Sequence, residues 1–212
     1  MRVFCLGDSL TAGYGVRCDQ CWRVLAARET GFELIDGGMN GDSSWGMNYR
    51  FRRDVLPSPP DLLFLMGGGN DMLRDGNDRM ARVNFEEIAH GAATAGIPLM
   101  IGLPCPFVPE LAREFWSPDI DYLEAQLALE GWVDWLRELA AERDAPLCDF
   151  YGIFAAMPPA WRRMHYIDGL HPTREGHQAM AVVAASCLRQ FAARHANEQR
   201  LKELNFKRRK RT

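Results

Sequence analysis

Apolar residues in this chain gather in short runs that stop at glycine. Residues 2 to 6 (Arg-Val-Phe-Cys-Leu) end at Gly7, residues 32 to 36 (Phe-Glu-Leu-Ile-Asp) at Gly37-Gly38, and residues 61 to 66 (Asp-Leu-Leu-Phe-Leu-Met) at Gly67-Gly68-Gly69. Residues 97 to 101 and the shorter 145 to 148 complete five predicted strands. Between them, apolar side chains recur at helical spacing over 20–30 (Trp22, Leu25, Ala26) and over 44–55, 78–95, 122–143 and 173–195. The 122–143 stretch carries Leu123, Leu127, Trp132, Leu136 and Leu139. Apolar strands that alternate with helices predict an α/β fold: a mostly five-stranded parallel sheet covered by helices on both faces. Right-handed crossovers put every strand C-terminus at one edge, and ligand sites in open parallel sheets lie beyond that edge.

The stretch from Leu103 to Asp121 breaks the pattern. It holds Pro104, Pro106, Pro109 and Pro118 among Phe107, Phe115 and Trp116. A loop this long in a compact domain usually serves a function, and its aromatics predict a cover over a pocket.

The chain has 212 residues, of which 47% are hydrophobic and 25% charged, a balance that fits one domain with a real core. That domain is expected over 1–196, followed by a basic tail over 197–212, either a helix extension or disordered. A net charge of −3 excludes a body built to bind nucleic acid. The run Lys207-Arg208-Arg209-Lys210-Arg211 reads as a solvated tail, or as a contact for anionic lipid or nucleic acid. No apolar run approaches the ~20 residues of a bilayer span. The N-terminus lacks the pattern of a leader, which predicts a cytoplasmic protein if Met1 is the native start. Six cysteines are scattered and are expected reduced, with Cys5, Cys148 and Cys187 in the core. Cys18-Asp19-Gln20-Cys21 is a lone C-x-x-C without the further ligands of a zinc site, so no metal is expected.

Candidate chemistry falls just past the predicted strands. Gly7-Asp8-Ser9-Leu10 follows the first, where a serine hydroxyl projects over the sheet edge; as an isolated motif it is more often only a turn with an N-cap serine. Gly41, within Asn40-Gly41-Asp42-Ser43-Ser44, lets a backbone N–H come close to a ligand. Ser43 repeats the Gly-Asp-Ser triplet but lies several residues past its strand. Gly68-Gly69-Asn70-Asp71 brings an amide suited to a developing oxyanion. In Asp168-Gly169-Leu170-His171-Pro172 the spacing lets a turn join carboxylate to imidazole, and Pro172 keeps His171 out of helical geometry until a helix starts near Thr173. The order Ser, Asp, His is one that hydrolytic triads use, while the G-x-S-x-G elbow of α/β-hydrolases is absent. No phosphate-binding G-x-x-x-x-G-K-[ST] occurs, nor a complete G-x-G-x-x-G opening a helix, which disfavours a nucleotide-binding module.

These four segments resemble the blocks of the GDSL lipase/esterase family, the SGNH hydrolases. Gly7 through Gly15 is similar to the first block, Gly41 to the second, Gly68-Gly69-Asn70-Asp71 to the third and Asp168 through Pro172 to the fifth. The resemblance spans about residues 2 to 180. It implies a flavodoxin-like three-layer α/β/α sandwich, Ser9 as nucleophile with His171 and Asp168, and an oxyanion hole from the Ser9 and Gly41 N–H groups and the Asn70 amide. It implies acyl ester substrates and no cofactor. Small or medium acyl esters lead, with thioesters or lysophospholipids included; sugar O-acetyl esters are the nearest alternative, and a non-catalytic small-molecule-binding module is the other class. Asp8, Leu10, Trp45, Phe107, Trp116 and Leu170 are candidates to touch substrate. Met39, Met47, Trp161, Met164 and Tyr166 also lie near the motifs and are equally explained as packing. His177 reads as a helix-surface residue, and His90 and His195 as helix positions.

Overall fold

The computed structural model describes residues 1–209, except for the side chains of residue 199 and residues 202–209. The basic run at 207–211 therefore lies outside the described side chains. In chain order the strands are β1 Arg2–Gly7, β2 Glu33–Gly38, β3 Leu62–Met66, β4 Leu99–Leu103 and β5 Leu147–Asp149. The helices are α1 Ser9–Ala12, α2 Trp22–Thr30, α3 Ser44–Arg50, α4 Gly69–Asp75, α5 Arg79–Thr94, α6 Pro109–Phe115, α7 Tyr122–Glu142, α8 Phe150–Ala155, α9 Pro159–Met164 and α10 Arg174–Arg209. All strand pairs are parallel, in the order β2-β1-β3-β4-β5. The chain winds outward both ways from the β1–β3 neighbours, so crossovers leave in opposite directions there and open a crevice above the strand ends.

Successive side chains of a strand point to opposite faces, and the core divides accordingly. Val3, Cys5, Leu62, Phe64 and Met66 pack with Trp22, Phe150 and the α10 residues Met180, Ala184 and Leu188. Leu6, Leu63, Leu65 and Ile101 pack with Met47, Phe51, Phe85 and Trp132. Each layer centres on a buried tryptophan. Burying such a ring removes roughly 150–250 Å² from water, which at about 25 cal/mol per Å² is roughly 4–6 kcal/mol before ordering costs. Both indole N–H groups also hold motif loops: Trp22 Nε1 donates to the Leu10 carbonyl and Trp132 Nε1 to the Gly67 carbonyl, each at 2.9 Å.

Several expectations need correction. The helix predicted over 44–55 ends at Arg50 and passes into a π-helical turn over Phe51–Val55. The 103–121 stretch is not wholly loop: Pro109 opens α6, where its missing N–H costs nothing. On α7 the buried face is Ala125, Leu129, Trp132, Val133 and Leu136, while Leu123 and Leu127 point to solvent. The last helix continues past 195 to Arg209. Among the described residues no helix is long and apolar enough to cross a membrane.

His177 is likewise not a surface residue. It is 1% exposed, and its Nδ1 accepts the Trp22 N–H at 3.3 Å, satisfying a donor at the start of α2. Burial, reinforced by the nearby charge of His171, lowers its pKa to about 4. A histidine lowered from the ordinary value of about 6.5 stabilises the fold above that pH, and the contribution is lost as pH falls toward 4, roughly 3 kcal/mol at full extent. Asp8 runs the other way, since burial raises its carboxyl to about 6 and its contribution is lost as pH rises through that value. The comparison with His177→Gln, which cannot titrate, separates the two. We expect the wild-type advantage in Tm to shrink between about pH 7 and about pH 4.5; parallel Tm–pH curves for the two proteins would show that His177 does not carry the effect.

Candidate active site

Ser9, Gly41 and Asn70 each follow one of three adjacent strands, β1, β2 and β3, and therefore meet above the crevice. Asp8 caps α1, its Oδ1 accepting the Leu10 N–H at 2.9 Å. The cap of this turn is thus Asp8, and Ser9, as the first helical residue, is left with its hydroxyl free for another partner. Gly7 has no room for a side chain: a Cβ there would lie 2.1 Å from Thr11 Oγ1 and 2.7 Å from the Met66 carbonyl.

That partner is His171. Ser9 Oγ and His171 Nε2 are 2.9 Å apart across 162 residues of sequence, and His171 Nδ1 lies 2.8 Å from Asp168 Oδ2. The Asp168–His171 half is local. Asp168 Oδ1 accepts the N–H groups of Leu170 at 3.0 Å and His171 at 2.9 Å, folding the chain so that its other oxygen meets the ring. Burial alone would raise the Asp168 carboxyl, but the hydrogen bond and charge of His171, with the two backbone N–H groups, hold it below its usual range. The carboxylate is therefore ionised at neutral pH and can orient an imidazole whose Nε2 faces the hydroxyl. Gly169, at φ +85°, takes a left-handed conformation that suits glycine, and a Cβ there would lie 2.3 Å from the Ala112 nitrogen of α6.

The Met39–Asp42 turn presents Gly41. Asp42 N–H donates to the Met39 carbonyl at 3.2 Å, and Gly41 sits at the third position with φ +72°, where such a turn asks for glycine. Asn70 Nδ2 donates to the Asp42 carbonyl at 2.9 Å, which fixes the amide and leaves its second hydrogen unspent. Arg74 Nη2 donates to the Gly41 carbonyl at 2.7 Å. The N–H groups of Ser9 and Gly41 have no acceptor among the described residues. Asp71 faces away, accepting the N–H and hydroxyl of Ser44, and so ties α4 to α3.

A cavity of 450 Å³ opens over Ser9 and His171. Its wall includes five of the six residues named from sequence as substrate contacts: Asp8, Leu10, Phe107, Trp116 and Leu170. Asp8 borders it with a carboxylate already engaged as a cap. Trp45 does not belong: it is 69% exposed on the outer face of α3, stacked on Tyr49 at 6.3 Å. Ser43 is absent from the cavity wall as well, which separates it from Ser9. The 103–121 segment does cover the site, held by the Phe107 N–H on Gln126 Oε1 at 2.7 Å, the Val108 N–H on the Gly169 carbonyl at 2.8 Å, and the Tyr166 hydroxyl on the Pro106 carbonyl. Sequence reading missed Tyr14, Leu73, Arg74 and Ile120 on the same wall. Tyr14 packs on the His171 ring at 4.3 Å, with Trp116 at 5.9 Å. Its signal was the pair of flanking glycines, both at positive φ, +83° at Gly13 and +80° at Gly15.

A family model for the GDSL-like Lipase/Acylhydrolase family matches residues 5–179. Thioesterase 1/protease 1/lysophospholipase L1 of Escherichia coli K12 is 26% identical over 179 residues, covering 83% of this chain and 77% of that protein. Arylesterase of Vibrio mimicus is 25% identical over 192 residues, covering 87% and 86%. A solved member of the lipolytic G-D-S-L family from Veillonella parvula has the same fold, with a TM-score of 0.75 at 24% identity over 88% of this chain and 97% of that one. The chain thus belongs to the GDSL-like lipase/acylhydrolase family.

Proposed function

We propose that this ester hydrolase works through Ser9 as nucleophile, His171 as general base and acid, and Asp168 as the orienting carboxylate, on small to medium acyl esters. The unbroken line from Ser9 Oγ through His171 to Asp168, at 2.9 and 2.8 Å and open to the cavity, carries the reading. Ser9 Oγ attacks the acyl carbon as its proton passes to Nε2. The carbonyl oxygen becomes an oxyanion and takes hydrogen bonds from the Ser9 and Gly41 N–H groups and the free hydrogen of Asn70 Nδ2; each such donor is worth about 3 kcal/mol of transition-state stabilisation. Collapse expels the leaving group, which takes the proton from Nε2. Water then attacks the acyl-enzyme with His171 again as base, releasing the acid and restoring Ser9.

The proton delivered by Nε2 puts the leaving group beside His171, on the side of the cavity walled by Tyr14 and Trp116. These rings would also stack on a sugar, which keeps carbohydrate O-acetyl esters as the second reading. Against it, Leu10, Phe107, Ile120 and Leu170 give the cavity an apolar wall and more volume than an acetyl group fills. Thioesters and lysophospholipids, named for the E. coli relative, and aryl esters, named for the Vibrio one, belong in the same panel. Hydrolysis of p-nitrophenyl esters from acetate to decanoate should rise with chain length and then fall, and a fluorophosphonate should label Ser9. A maximum at acetate would favour the deacetylase. Folded protein inert to both reagents would point to a non-catalytic binding module.

A further inference from the structure

Arg50, the last residue of α3, is 5% exposed, yet neither it nor Asp42 belongs to the proposed chemistry. Its guanidinium makes four hydrogen bonds under the strand ends. Nη2 donates to the Gly7 carbonyl at 2.7 Å, Nη1 to the Gly37 carbonyl, and Nε and Nη2 converge on Asp42 Oδ2 at 2.9 and 2.6 Å. Gly7 ends β1 two residues before Ser9, Gly37 lies at the end of β2, and Asp42 follows Gly41. One buried cation therefore joins the segment that carries Ser9 to the turn that carries Gly41. The backbone is cut away to receive the pair: a Cβ on Gly46 would stand 1.8 Å from Asp42 Oδ1.

We propose that Arg50, acting through Asp42, is a positioning residue that fixes the Gly41 N–H relative to Ser9. This rests on the serine-hydrolase reading above. The Gly41 turn is held from three directions: Arg74 on its carbonyl, Asn70 on the Asp42 carbonyl, and Arg50 on the Asp42 carboxylate. Arg74 and Asn70 both come from α4, and the Met39 N–H ties the start of the turn to the Gly7 carbonyl at 3.1 Å, so Arg50 is the side chain that refers the Asp42 end of the turn to β1. A rigid planar fork suits that task, because it fixes direction as well as distance. The hole is useful only if its donors stand where the oxyanion forms, and a misplacement of about 1 Å can cost about 100-fold in rate. The substrate ground state depends far less on that alignment, so the effect belongs in kcat.

The test compares Arg50→Lys, Arg50→Met, Asp42→Asn and the double variant Arg50→Met/Asp42→Asn, each assayed where circular dichroism shows it fully folded. We expect kcat to fall about 10- to 100-fold in each single variant with KM within about threefold. Arg50→Lys should retain more than Arg50→Met, and the double variant should lose little beyond the worse single change, because the two residues act as one unit. Deuterium uptake of the 38–44 segment should rise in parallel. Lower Tm with kcat within twofold of wild type in the folded variants would make Arg50 purely structural and overturn the proposal. If Arg50 variants fail to fold, Asp42→Asn alone decides it by the same criterion. Inactive wild-type protein would instead sink the serine-hydrolase reading, and this inference with it.

Discussion

Ser9→Ala is expected to lower kcat toward p-nitrophenyl esters by about 10⁴- to 10⁶-fold while shifting Tm by no more than about 2 °C. The loss is large because the later steps of the mechanism presuppose the bond that Oγ makes to the acyl carbon. Without it His171 has no hydroxyl to deprotonate, and the remaining rate is water attack helped by whatever the oxyanion donors still supply. The fold should be indifferent for local reasons. The α1 turn is capped by Asp8 on Leu10, not by the serine, and alanine is a better helix former at the position. The Ser9 hydroxyl bonds to His171 Nε2 at 2.9 Å, and the cavity lets a water molecule take its place there. Titrating the variant with fluorophosphonate sharpens the result, since labelling should vanish with turnover. More than a tenth of wild-type activity in the purified variant would place the nucleophile elsewhere.

What was legible in the sequence divides by distance along the chain. The central strands stood out because parallel strands buried on both faces read as unbroken apolar runs, as in β3, and the glycines that end strands mark where backbone must pass close to backbone, as at Gly7. Asp168 and His171 were legible because a three-residue spacing with Pro172 behind it nearly dictates the turn. Ser9 meeting His171 was legible only from the place of both segments past the strand ends, the Ser, Asp, His order and the resemblance, since no local rule links residues 162 apart. The failures are tertiary. The short helices α4, α6, α8 and α9 are too brief to show a period, and neighbours decide them. Pro109 reads as part of a loop, although proline opens helices as readily as it breaks them. His177 looks polar until α2 packs over it and supplies the Trp22 N–H that it accepts. Nearness to Gly41 in sequence points Trp45 toward the site, but at helical spacing that nearness turns it outward beside Tyr49. Arg50 carries no sequence signal at all, because its meaning lies in two carbonyls and a carboxylate that only the folded sheet brings together.

The second large effect separates orientation from nucleophilicity. Asp168→Asn is expected to lower kcat by about 10³- to 10⁴-fold, with KM little changed and the fold retained. Asparagine has nearly the same shape, and its oxygen can still accept the Leu170 and His171 N–H groups that shape the turn. Its nitrogen then faces Nδ1 as a donor. A neutral imidazole meets that donor best with Nδ1 bare, which places the proton on Nε2, pointing at Ser9. In this tautomer the ring cannot take the serine proton, although the heavy atoms have hardly moved. In the proposed mechanism the ionised carboxylate also stabilises the imidazolium that forms during attack, and an amide cannot. The wild-type carboxyl, held below its usual range, keeps that role throughout the neutral region. Rising pH offers a further reading: hydroxide in solution can partly replace the disabled base, so the variant's rate should climb with pH after the wild type has levelled off. A fall of less than tenfold, with a pH profile parallel to wild type, would mean that Asp168 shapes the turn without orienting the base. In that case Leu170 and His171, anchored through their backbone N–H groups, would hold the ring without help from its charge.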